Sequence, residues 1–115
     1  MFSAETETGQ RLERRRGSLA AAVVERCYAR DPSMAERYGP AGRAKCEQDS
    51  TYHLAYLAEA LIAGSATLFA DYVRWAAAVL VSRSIPTSDL VLHLRALREV
   101  LSESLDAPGA DAARA

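Results

Sequence analysis

Three side chains able to do chemistry fall on one short stretch, GRAKCEQDSTYHLAY, residues 42–56: the thiol of Cys46, the carboxylate of Asp49 and the imidazole of His53. Steps of three and four place them on one face of a helix, about one turn apart. A thiol is a nucleophile once ionised, a carboxylate accepts hydrogen bonds, and an imidazole titrates near neutrality. Arg43 and Lys45 stand just upstream. The same face continues through Ser50, Leu57, Ala60 and Gly64, polar in its first turns, small and apolar in its last. Such a face either walls a groove with a chemically mixed occupant or leaves its first turns in solvent and enters the core with its last. Spacing alone leaves both open.

Other chemistries find less to work with. The sequence has no Cys-x-x-Cys pair, no Gly-rich phosphate loop and no Gly-x-Ser-x-Gly elbow. Three ligands on one helix make a weak metal site without a second segment. Two histidines supply no base–nucleophile–orienter set, so the chain is expected not to be an enzyme. His93 lies among leucines and is expected to be partly exposed or hydrogen-bonded, not a ligand. Cys27 is expected to be buried and inert, and Phe69, Tyr72 and Trp75 sit at helical spacing as core candidates.

A chain of 115 residues, half of them apolar, is long enough to bury one core. Fourteen basic residues against 15 acidic ones give no electrostatic reason for a nucleic-acid or anionic-membrane partner. The run Arg11, Arg14, Arg15, Arg16 reads as a solvated helix end. The longest apolar run, WAAAVLV at 75–81, is too short to span a bilayer, and MFSAETETGQ has no apolar run of signal-peptide length. Two cysteines without a framework fit a reducing compartment, and the expected location is the cytoplasm.

The elements that position Cys46 read as helices throughout. A helix is expected over SLAAAVVERCYAR behind Ser18, and a short one from Asp31-Pro32 to Tyr38-Gly39-Pro40. The longest runs from about Ala41 to Ala63, with Gly64 as its left-handed cap. Ser65 opens a fourth through LFADYVRWAAAVLVSR, Ile85-Pro86 ends it, and a fifth follows with a stripe of Leu90, Leu94, Leu97, Leu101 and Leu105. Residues 1–17 and 106–115 are expected to be frayed or flexible. Together they describe an all-α chain forming one domain.

From residue 42 to 64, GRAKCEQDSTYHLAYLAEALIAG resembles the chromophore helix of phycobiliproteins, whose pattern reads G-K-x-K-C-x-R-D-x-x-Y-Y-L-R-Y and closes with A-L-x-A-G. The matching residues are Gly42, Lys45, Cys46, Asp49, Tyr52, Leu54, Tyr56, Ala60, Leu61, Ala63 and Gly64. Upstream, AAAVVERCYARDPSM is similar to the family's A-x-x-V-Y-x-K-F-P-Y segment. Downstream, Asp71-Tyr72 falls where the family often has Glu-Tyr, and SRSIPTSDLVLHLRALREV resembles S-L-G-V-P-x-x-x-x-x-x-x-I-x-A-M-K-E. The likeness spans residues from about 18 to 102.

The resemblance implies a globin-like helical domain of about five helices that binds a bilin, either biliverdin or a reduced phycobilin. Cys46 takes the position of thioether attachment, and Asp49 that of the carboxylate facing the pyrrole N–H groups. Lys45 and Arg43 take the places of cations for the propionates, and Tyr72 that of an aromatic lining the pocket. His53 replaces the second tyrosine of Tyr-Tyr, suited to packing on a ring or bonding a propionate. Gln48 stands where the family places a propionate-pairing arginine, so that contact loses its charge. The family's subunit-joining N-terminal arm has no counterpart, which implies a short relative. Its expected partners are a linear tetrapyrrole and a second or related subunit, with neither nucleic acid nor membrane insertion. The alternative is a bilin-free sensory or protein-interaction domain of the same fold.

Overall fold

Helix starts and stops follow the local chemistry of the chain. In the computed structural model, which describes residues 3–105, five helices occur in order: α1 (Ala4–Arg14), α2 (Arg16–Arg30), α3 (Ser33–Ala63), α4 (Ala66–Ser82) and α5 (Thr87–Ser104). No strand occurs among the described residues. Asp31 precedes the third helix and accepts the Ser33 backbone N–H at 3.2 Å, satisfying one of the unpaired donors of that helix end. Gly64 closes the same helix in the left-handed region, at φ 65°. Ser65 occupies the position before α4 but makes no capping hydrogen bond through its side chain. Pro86 precedes α5, where its fixed φ suits the entry into a helix.

Residues 4–14 depart from the sequence expectation of a frayed end: they form α1. Ser3 accepts the Thr6 N–H at 3.1 Å, Glu5 and Glu7 occupy the first turn, and Arg11 and Arg14 the last, each charge matched to the helix dipole. Thr8, Gly9 and Leu12 form the buried face. A Cβ on Gly9 would lie 2.7 Å from the Ala58 carbonyl oxygen and 2.8 Å from the Ile62 side chain, so the missing side chain is what lets α1 lie against α3. The expectations for residues 1, 2 and 106–115 lie outside the described residues.

The long α3 is the hub, in contact with α1, α2 and α4, while α2 also pairs with α5. One buried apolar cluster joins Leu12 of α1, Leu19, Val23, Val24 and Cys27 of α2, Leu54 and Ala58 of α3, and Ala96, Leu97, Val100 and Leu101 of α5. Within α3 the backbone turns at Gly39, with φ 67° and ψ −176°, ahead of Pro40. That left-handed φ strains any residue with a side chain, so glycine sets the break between Ser33–Tyr38 and the remainder of α3. The two halves correspond to the two helices expected from the sequence, separated at the expected place.

Candidate functional site

The break at Gly39 folds Tyr38 back toward the start of α5. There Asp89, with a side chain 11% exposed, accepts the Tyr38 hydroxyl in a short hydrogen bond and an Arg37 N–H at 3.0 Å. Arg37 also reaches Asp31 at 2.9 Å. The segment Ser33–Tyr38 is thereby tied to α5 through Asp89, with Met34 buried in the core cluster and the Gly39 turn directly after the clasp.

Beneath this clasp is a cavity of about 60 Å³ lined by Met34, Tyr38, Cys46, Asp49, His53, Leu80, Ile85, Asp89, Leu90 and His93. The residues that the sequence stripe placed together therefore do share a wall. The first turns of that stripe are not in solvent: Cys46 and Asp49 are half-buried, and Ser50 and His53 are buried. The Cys46 Sγ lies 3.8 Å from Nδ1 of His93, which closes the cavity from α5. The two imidazoles meet edge to face with centroids 4.7 Å apart, and Nδ1 of His53 is 2.6 Å from the Tyr72 hydroxyl.

Burial shifts the protonation of Cys46, Asp49 and both histidines. It pushes the Cys46 thiol up to about 12, with the neighbouring Cys27 and Asp49 adding to the effect, so the sulfur carries its proton at neutral pH. It holds His53 down to about 4 and His93 to about 3, which leaves both rings neutral. Asp49 is raised by burial and partly restored by Lys45 and Arg83. A protonated thiol can donate to Nδ1 of His93, and in that tautomer the ring's own proton is on Nε2. The Tyr72 hydroxyl, also held protonated by burial, donates to Nδ1 of His53 and fixes that ring in the same tautomer. Both Nε2 atoms are buried and have no hydrogen-bond partner.

The remaining sequence candidates lie elsewhere. Lys45 is on the outer surface, donating to Gln48 at 2.9 Å and pairing with Asp49 at 3.7 Å, so Gln48 serves Lys45 and not the cavity. The Arg43 guanidinium sits over the Tyr28 ring, 4.5 Å from its centroid, on the α2 side. Tyr72 stands behind His53, one layer back from the cavity lining. His93 is the residue that sequence reasoning missed. Of the two states expected for it, partly exposed or hydrogen-bonded, it takes the second, 7% exposed and bonded to Cys46. The helical spacing Leu90, His93, Leu97, Val100 already places it on the buried face of α5. Leu94, assigned to the leucine stripe, is only half-buried.

Among the described residues, no group of three His, Cys, Asp or Glu side chains is placed to hold a metal ion. A larger cleft, about 700 Å³, lies between α2 and α5 and is lined in part by Arg26, Arg30, Glu99 and Glu103, which pair with one another. No helix among the described residues is long and apolar enough to cross a membrane. Comparison with known proteins finds no family model and no curated protein that matches the chain.

Proposed function

We propose that this chain is a ligand-binding, globin-like helical domain whose chamber is the cleft between α3 and α5, and that its ligand is a linear tetrapyrrole. The observation that carries the proposal is the pair of buried, unpartnered Nε2 nitrogens on His53 and His93, set around one cavity with Cys46 and Asp49. An unpaired buried polar atom costs about 1–3 kcal/mol. Besides Tyr28 Oη and Ser50 Oγ, the two imidazole nitrogens are unpaired, and their rings line one cavity where a ligand's polar atoms belong.

The donor set fits a tetrapyrrole better than the cavity volume does. Lactam and propionate oxygens would accept from the two imidazoles, and Asp49 would accept from pyrrole N–H groups. The volume of about 60 Å³, however, is room for about two waters, whereas a four-ring ligand needs several hundred Å³. A four-ring ligand therefore needs a form in which Ser33–Tyr38 has moved off α5, releasing Asp89 and withdrawing Met34 from the core cluster. In the form described, burial keeps the Cys46 thiol protonated, so there it is a contact and not a ready nucleophile.

The test is to offer biliverdin and its reduced relatives to the wild type, Cys46→Ala and His93→Phe, then separate protein from free pigment. Wild type and Cys46→Ala are expected to retain colour that denaturant extracts, and His93→Phe to retain little. A colourless wild type with every bilin offered rejects the proposal. Pigment that resists extraction from wild type but not from Cys46→Ala would show a thioether instead. A second function, protein interaction, is favoured by a different surface.

A further inference from the structure

The sequence of α4 has only one acid and one base, Asp71 and Arg74, yet among its seventeen residues only Tyr72 and Ala76 are buried. Tyr56 of α3 stacks on Tyr72 with ring centroids 4.1 Å apart. Together with Leu68 and Trp75 they wall an open groove of about 510 Å³ that also includes Glu59 and Asp71. Trp75 is 61% exposed, more than any other large apolar side chain described, and Tyr56 and Leu68 are 49% and 47% exposed. Exposed aromatic surface of this extent on a small domain marks an interaction site.

We propose that this groove is an interface between two copies of the chain, related by a two-fold axis, with Trp75 of each copy seated in the groove of the other. The face has what a self-pairing contact requires. An isologous interface brings a patch against itself, so the patch must contain both members of every complementary pair. Here a projecting indole and a hollow lie side by side. Both signs of charge are also present: Arg74, 71% exposed, pairs with Asp71 in the single chain, and Glu59 is exposed. Across the two-fold, Arg74 faces Glu59 of the partner subunit. With Arg74 beside Glu59 and Asp71, the patch carries both signs of charge and is complementary to its own copy about a two-fold axis. The groove and the α3–α5 chamber have no lining residue in common, and they meet only where Tyr72 of the groove bonds His53 of the chamber.

Sedimentation equilibrium of the full chain from about 1 to 100 µM is expected to show a mass rising toward twice 12.5 kDa. Trp75→Asp, at an exposed position, is expected to keep its helical circular dichroism and to weaken association at least about thirtyfold. Arg74→Glu and Glu59→Arg should each weaken association, and an equal mixture of the two should restore it, because each supplies the charge the other has lost. A wild type that stays at the mass of one chain over the whole range overturns the proposal. So does association that Trp75→Asp leaves intact, or a mixture of the two charge variants that stays monomeric. A groove that instead takes up a purified helical peptide while the chain stays monomeric assigns it to a foreign partner, with the same consequence.

Discussion

The seam between α2 and α5 and the seam between α3 and α4 are built in opposite ways. Along the first, Val23, Val24, Cys27, Ala96, Val100 and Leu101 are buried, and Arg26 and Arg30 reach Glu99 and Glu103 across its outer edge. Apolar atoms are inside, and charges are paired at the rim. Along the second, an imidazole and a phenol hydroxyl are inside, while Tyr56, Leu68 and Trp75 face outward. The first arrangement lowers the free energy of the isolated chain. The second leaves part of that stabilisation unrealised, and this is the feature expected where a ligand or partner completes the structure.

Core truncation gives the largest contrast between the seams. Leu101→Ala, at a site 1% exposed, should cost about 2–5 kcal/mol in urea unfolding. Trp75→Ala should change the unfolding free energy of the monomer by no more than about 0.5 kcal/mol. Equal losses at the two sites would mean that the α3–α4 seam is closed in solution as tightly as the other.

Acid should distinguish the seams next. His53 and His93 are held near 4 and 3 in the fold against 6.5 for a free imidazole. Between those values the unfolded chain binds more protons, so stability is complete above about pH 6.5 and falls as pH drops toward the folded values. Each histidine contributes a slope of up to about 1.4 kcal/mol per pH unit. Asp49, raised by burial, works in the opposite direction in the carboxylate range. Unfolding midpoints measured between about pH 7 and 5 should therefore decline, and His93→Gln should flatten the decline. A midpoint independent of pH in the wild type would mean that both rings can take up protons within the fold.

The smallest effect belongs to the rim of the α2–α5 seam. Arg26→Ala removes bonds of 2.5 and 2.6 Å to Glu103, but exposed pairs of this kind contribute little to stability. A small loss, shrinking in high salt, would confirm that the apolar interior holds this seam together.

Much of the architecture was legible in punctuation. Asp31-Pro32, Gly39-Pro40, Gly64 and Pro86 each mark a boundary because they act locally, through a cap, a fixed φ or a left-handed turn. The helix α1 was not legible because its polar composition hides a face whose burial depends on Ala58 and Ile62, far away in the chain. The cavity was half legible. Helical spacing joined Cys46, Asp49 and His53, but it could not show that His93 of α5 lies opposite. Nor could it show that the charged groups of Lys45 and Arg43, neighbours of Cys46 in the chain, are directed to other surfaces. Those directions are set by Asp49 and by the Tyr28 ring, and such partners are chosen by tertiary packing.

The central claim is that the Tyr38–Asp89 clasp guards a ligand chamber, and the rate of biliverdin uptake tests it most directly. Asp89→Ala removes the acceptor that holds Tyr38 and Arg37. Since a hydrogen bond to a charged group contributes about 1.5–3 kcal/mol, uptake monitored by visible absorption should be faster by roughly tenfold or more. Equal rates in wild type and Asp89→Ala, or no uptake by either, would contradict the account.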